Sequence, residues 1–234
     1  MIKKLSATIG ALTLAASVLV QVDDPVPGRL CTDYDNGRLT IEVLGDSVAA
    51  GYNVPAGERW FEQVGAQLPG PNSAVWNGAV SGSKALDYVP GGPYNFHVQF
   101  AGTVKPSLVI LNWRINDQWW SKEDPANYNP TTFKAQYRQI LNQIRAASPT
   151  TRIMIAVSPW VMDTRIDQGT YNQWHYIVAL WELKQEYDGV WMDFMRYTSG
   201  MLQGDLGHPN AAGNRVMGAQ VFEFLRSSCG HWDD

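Results

Sequence analysis

An α/β fold, a three-layer α/β/α sandwich around a five-stranded parallel sheet, is predicted for this 234-residue chain by three observations. Five short apolar runs, rich in Val, Ile and Leu, recur along the sequence. Longer segments with helical period lie between several of them. Most of the runs stop at a small or turn-forming polar residue. Strands buried on both faces read as continuous apolar runs, and their alternation with helices indicates a parallel sheet covered on both sides.

The elements follow in order. Leu39 to Leu44 is the first strand and ends at Gly45; Ala74 to Trp76 is the second, closed by Asn77-Gly78. Leu108 to Leu111 is the third, Ile153 to Val157 the fourth, closed by Ser158-Pro159, and Val190 to Phe194 the fifth. Phe133, Tyr137, Ile140, Leu141 and Ile144 form one stripe of an amphipathic helix, with Asn129-Pro130-Thr131 as its start and Ser148-Pro149 as its stop. Further helices are expected over Tyr171–Tyr187 and Ala211–Ser227. In such a sheet, ligands bind beyond the carboxyl ends of the strands, near the point where strand order reverses.

Composition bounds the function. Hydrophobic residues are 45% and charged residues 17%, enough for one domain with a core. The net charge of −4 and the absence of a Lys/Arg block exclude a nucleic-acid footprint. Residues 1–21 have a signal peptide's pattern: Lys3 and Lys4, an apolar run from Ile9 to Val20, and a small-x-small site at Ala15 and Ser17, with the cut expected at about 17–24. A dozen apolar residues are too few to cross ~30 Å of hydrocarbon as a helix; a retained N-terminal anchor is the competing reading. Secretion or periplasmic export is therefore expected. Residues 22–37, with Pro25, Pro27, Gly28 and Gly37, read as an irregular lead-in, and 38–234 as one domain. In an oxidising compartment, Cys31 and Cys229 are most simply one disulfide that joins the ends of that domain; two free thiols are the alternative.

Chemistry narrows to a serine. Ser47 follows the first strand, in Gly45-Asp46-Ser47, at what reads as a strand-to-helix corner. A serine hydroxyl needs a base, usually histidine, and the base needs an acceptor to fix its tautomer. Of His97, His175, His208 and His231, only His208 has a carboxylate three residues upstream in a glycine-flanked turn, Asp205. The other three read as structural or solvated.

Four blocks in order then give a resemblance. Gly45-Asp46-Ser47, Asn77-Gly78-Ala79-Val80-Ser81-Gly82, Asn116-Asp117 and Asp205-Leu206-Gly207-His208 resemble the motifs of the SGNH hydrolases, also called GDSL esterases and lipases. The four blocks spread from 45 to 208, over most of the chain that follows the expected signal peptide, and the resemblance implies a flavodoxin-like SGNH fold and ester hydrolysis. It implies Ser47 as nucleophile, His208 and Asp205 as its partners, and an oxyanion hole from the Ser47 and Gly82 N–H groups and the Asn116 amide. The same site could transfer the acyl group to a glycan hydroxyl, or an inactive site could leave a polysaccharide-binding module.

One position departs from the pattern. The glycine usual in the third block is Arg114, preceded by Trp113. Two readings stand: a peripheral arginine in solvent, or a contact to an anionic part of the substrate. Trp119 and Trp120 follow the third block, in Asn116-Asp117-Gln118-Trp119-Trp120, and, with Tyr88, Tyr94 and Phe96 in the loop after the second block, are candidates for a substrate surface, stacking on sugars or lining an acyl pocket. Trp174, Tyr176 and Trp181, at helical spacing, read as core. The scattered cysteines and histidines have no zinc spacing, and neither a phosphate loop nor a dinucleotide fingerprint occurs, so no metal or cofactor is expected. The expected partner is a small-molecule or carbohydrate-borne ester, met by a monomer without stable membrane insertion. Short acyl or O-acetyl glycan esters are favoured, with lipid-like esters as the alternative.

Overall fold

The structure, a computed structural model, describes residues 28–159, 171–194 and 199–230. The expected signal peptide and His231 lie outside the described residues. Five strands, β1 (Thr40–Gly45), β2 (Ala74–Asn77), β3 (Leu108–Asn112), β4 (Arg152–Val157) and β5 (Val190–Asp193), form one sheet in the order β2-β1-β3-β4-β5. Every neighbouring pair is parallel, with Gly45 level with Asn112 and Val157 with Asp193. The predicted strands are present to within a residue or two at each end.

Two cores sit on the two faces of this sheet. Leu44, Val109, Leu111, Ile153 and Ile155 pack with α3 (Asn95–Val104), α5 (Pro130–Ala147) and α6 (Gln173–Glu186). Ile41, Val43, Ile110, Met154 and Ala156 pack with α1 (Gly28–Asp35), α2 (Trp60–Gln67) and α7 (Ala211–Ser228). Alternate residues of each strand therefore feed alternate layers, and all five residues of β3 are buried. No described helix is long and apolar enough to cross a membrane.

Helix starts follow side-chain chemistry. Asn129 accepts hydrogen bonds from the Thr131 and Thr132 N–H groups at 3.0 Å, with Pro130 at the first position of α5. Asn210 does the same for α7 through Gly213 N–H at 3.1 Å. The lead-in reading needs correction: residues 28–35 are helical. The cause is tertiary. Leu30 enters a core, Arg29 donates to the Lys105 carbonyl at 2.6 Å, and Ser107 donates to Asp33 at 2.6 Å. Cys31 and Cys229 form a disulfide, Cα atoms 5.0 Å apart across 198 residues of sequence, which ties α1 to the end of α7.

Strand order reverses beside β1, which has β2 on one side and β3 on the other. The loops after β1 and β3 therefore diverge at the carboxyl edge, where sheets of this kind bind ligands.

Candidate active site

Gly45 ends β1 where there is no room for a side chain: a Cβ would stand 2.5 Å from both the Asn112 carbonyl oxygen and the Ala49 Cβ. The chain then turns sharply. Ala50 N–H bonds to the Asp46 carbonyl at 2.9 Å and Tyr52 N–H to the Ser47 carbonyl at 3.0 Å. This is a correction to the predicted strand-to-helix corner, since the turn is not continued and α2 begins only at Trp60.

Ser47 Oγ lies 2.7 Å from His208 Nε2, and His208 Nδ1 lies 2.6 Å from Asp205 Oδ2. With a carboxylate on Nδ1, the hydrogen-bond pattern assigns the proton to that nitrogen and leaves Nε2 to accept from the serine. Asp205 Oδ1 accepts from the Gly207 and His208 N–H groups, both at 3.0 Å. Partial burial opposes the Asp205 charge, but these two N–H groups and the imidazole outweigh it and hold the carboxyl below its usual value. Asp205 is thus an ionised acceptor near neutrality.

The loop that carries His208 is fastened to the loop that carries Ser47. Gln203 donates from its side chain to the Tyr52 carbonyl at 2.7 Å and to the Pro209 carbonyl at 3.0 Å, while the Tyr52 ring sits 4.9 Å from the imidazole. Gln203 and Tyr52 carried no signal in the sequence, because their partners are about 150 residues away.

The second and third blocks are joined to the same edge. The Gly45 carbonyl accepts from Val80 N–H and Ser83 Oγ, each at 3.0 Å, and Asn116 Nδ2 donates to the Ser83 carbonyl at 2.9 Å. Gly82 has φ +80, a region costly for other residues, and a Cβ there would meet nothing within 4 Å. Its backbone faces open space.

Beneath these groups lie buried ionisable side chains. Asp46 is fully buried; Oδ1 accepts from Val48 N–H at 2.9 Å, whereas Oδ2 has no partner in hydrogen-bond geometry. Burial pushes its carboxyl up to about 6, against the pull of Val48 N–H, His208 and Arg114. Asp117, also buried, accepts from Ala85 N–H at 3.1 Å, and burial holds its pKa well above the usual value. Both readings of Arg114 are corrected. The side chain is fully buried, so it meets neither solvent nor substrate. Its guanidinium donates to Gln118, Gln173 and the carbonyls of Ser158 and Pro159.

The aromatics divide differently from the expectation. Trp119 and Trp120, three and four residues after Asn116, are 40% and 41% exposed on α4 (Ile115–Trp120). Tyr88 is wholly buried, its hydroxyl donating to the Gly78 carbonyl at 2.8 Å, so it is a strut and not a platform. Tyr94 is partly buried against the same core, and Phe96 is exposed beside His97. Tyr176 is core as expected, but Trp174 and Trp181 are 56% and 47% exposed. Helical spacing put them on one face without saying which way it points.

A doubly wound sheet with a hydrogen-bonded Ser-His-Asp array at its carboxyl edge defines the class: an α/β protein of hydrolase type. Residues 43–216 match the GDSL-like lipase/acylhydrolase family, and the chain belongs to that family of ester-acting hydrolases. The fold is that of the SGNH hydrolases. A family two carbohydrate esterase from Clostridium thermocellum, solved in complex with cellohexaose, matches at 16% identity and TM-score 0.62 over 82% of this chain; the chain spans 65% of that esterase. A carbohydrate esterase family 2 enzyme with a carbohydrate-binding domain, from Corynascus thermopiles, matches at 15% identity and TM-score 0.64, covering 82% of this chain and 67% of the other. A lipolytic G-D-S-L family member from Veillonella parvula matches at 20% identity and TM-score 0.59, over 79% and 97% of the two chains. No curated protein sequence matches.

Proposed function

We propose that this protein is an exported serine esterase that cleaves short acyl groups, such as O-acetyl, from glycans through an acyl-enzyme on Ser47. One observation carries the chemistry: the continuous hydrogen-bonded line from Ser47 Oγ through His208 to Asp205, at 2.7 and 2.6 Å. As Ser47 attacks the ester carbonyl, His208 Nε2 takes the hydroxyl proton, and Asp205 stabilises the imidazolium. The Asn116 side chain has two amide hydrogens; one is held by Ser83, and the other remains for the oxyanion with the Ser47 and Gly82 N–H groups. Collapse expels the alcohol, which receives the proton from His208. Water activated by the same imidazole then releases the acid.

Three features support the finer reading. Trp120 lies one helical turn beyond Asn116, so an exposed indole shares a face with the oxyanion donor. Indoles suit stacking on sugar rings, and two of the fold's solved likenesses are carbohydrate esterases. Export is supported by the signal-like residues 1–21 together with the Cys31–Cys229 disulfide.

The test is a screen of purified protein on p-nitrophenyl esters of graded length beside acetylated xylan, with fluorophosphonate labelling mapped by mass spectrometry. Acetate and acetylated xylan should be the best substrates, the label should fall on Ser47, and Ser47→Ala should lose on the order of 10⁴–10⁶ in kcat. Full turnover by Ser47→Ala overturns the chemistry; preference for long acyl chains overturns the substrate.

A further inference from the structure

The third-block arginine has a use that neither solvent exposure nor substrate contact supplies. Burying a guanidinium is costly unless its donors are satisfied, and this one lies wholly out of solvent. It bonds to Gln118 Oε1 at 3.1 Å within α4, to Gln173 Oε1 at 2.8 Å on the first residue of α6, and to the Ser158 and Pro159 carbonyls, at 3.4 and 2.8 Å, just after β4. Three elements that approach the catalytic edge separately are joined at one planar group.

Asn116 stands between Arg114 and Gln118, and both belong to this junction. Its helix, α4, has only six residues, too few to hold a position of its own. The backbone at Arg114 has φ 177, outside the left-handed region that favours glycine. The guanidinium charge also faces a purpose. Asp46, the residue before Ser47, is buried, and both the backbone N–H and the charge of Arg114 favour its ionised form. Asp117, Tyr88 and Tyr137 face the same carboxylate from α4, the loop after β2 and α5.

The geometry points to Arg114 as a positioning residue whose guanidinium clamps α4 to the ends of β4 and α6, so that the Asn116 amide meets the oxyanion formed at Ser47. This rests on the reading of the site given above. A lysine would keep the charge but lose the planar fork that reaches several acceptors at once.

The experiment is a double-mutant cycle in the full chain, with kcat and KM measured on p-nitrophenyl acetate and folding checked by circular dichroism. Arg114→Met should lower kcat by about 10²-fold, the cost of displacing a catalytic group by roughly 1 Å, with KM changed by less than about threefold. In the Asn116→Ala background the same change should cost less than about threefold, because the group it positions is gone. Arg114→Lys should fall between wild type and Arg114→Met. If Arg114→Met does not fold, Arg114→Lys and Gln173→Ala carry the same cycle. A folded variant with wild-type kcat, or an equal cost in both backgrounds, overturns the role of Arg114. An inactive wild type, or Asn116→Ala at the wild-type rate, overturns instead the reading of the site.

Discussion

The rim and the floor of the candidate site handle charge in opposite ways. At the rim, Asp205 is nearly half exposed, takes two backbone N–H bonds and one imidazole N–H, and is held below the usual carboxylate range. On the floor, Asp46 and Asp117 are sealed from water, and burial pushes both carboxyls up, Asp46 to about 6. The same functional group is thus an available ionised acceptor in one place and a carboxyl whose charge burial disfavours in the other. Solvent access and the number of N–H donors decide which. On the rim, charge can respond to a reaction; on the floor, it is tied into packing, where any change is felt by neighbours.

That division can be tested from its largest expected effect downward. Asp205→Asn should cut kcat by about 10²–10⁴, because the amide favours the wrong imidazole tautomer, while stability moves by no more than ~0.5 kcal/mol. A large loss of melting temperature with little loss of rate would dissolve the distinction. Asn116→Ala should cost about 10²–10³ in kcat with a small change in KM, read from initial rates on p-nitrophenyl acetate. A change in KM alone would make Asn116 a ground-state contact.

Effects further from the edge should appear in stability first. Replacing Cys31 and Cys229 by serine should lower unfolding free energy by about 2–5 kcal/mol, measured by urea titration, with kcat of the folded enzyme preserved. The smallest effect concerns Glu42, buried in β1 with Oε2 unpartnered and its carboxyl pushed up to about 8 by burial. The unfolded chain releases that proton near pH 4.5 and the folded chain only near 8, so stability should fall as pH rises across this window. Glu42→Gln should remove the slope, raising stability at pH 8 by on the order of 1–3 kcal/mol and changing little at pH 4.5. A variant that loses stability at both pH values would show that the carboxylate has a role there after all.

Much of the fold was legible because parallel strands buried on both faces carry a dense apolar signal: β3 reads Leu-Val-Ile-Leu and is buried throughout. Helix α5 was legible from its stripe and its Asn-Pro start. Helices α1, α2 and α3 were not, since their positions depend on distant partners. The Arg29 and Asp33 contacts to Lys105 and Ser107 show this for α1. In the site, Ser47, Asp205 and His208 were nominated by residue type and order, whereas Gln203, Tyr52 and Ser83 act through backbone carbonyls that sequence does not display.

The sequence alone determined the layer order and nominated the edge and the residues of the candidate site. The first follows from hydrophobic period, the second from the intrinsic chemistry of side chains and from the resemblance of four ordered blocks to a known family. Only the tertiary structure decided where charged and aromatic side chains point. It turned Tyr88 inward, Trp174 and Trp181 outward, and buried Arg114 among four oxygen acceptors. An arginine's cost or benefit depends on which acceptors surround it, and those come from elements up to 59 residues away.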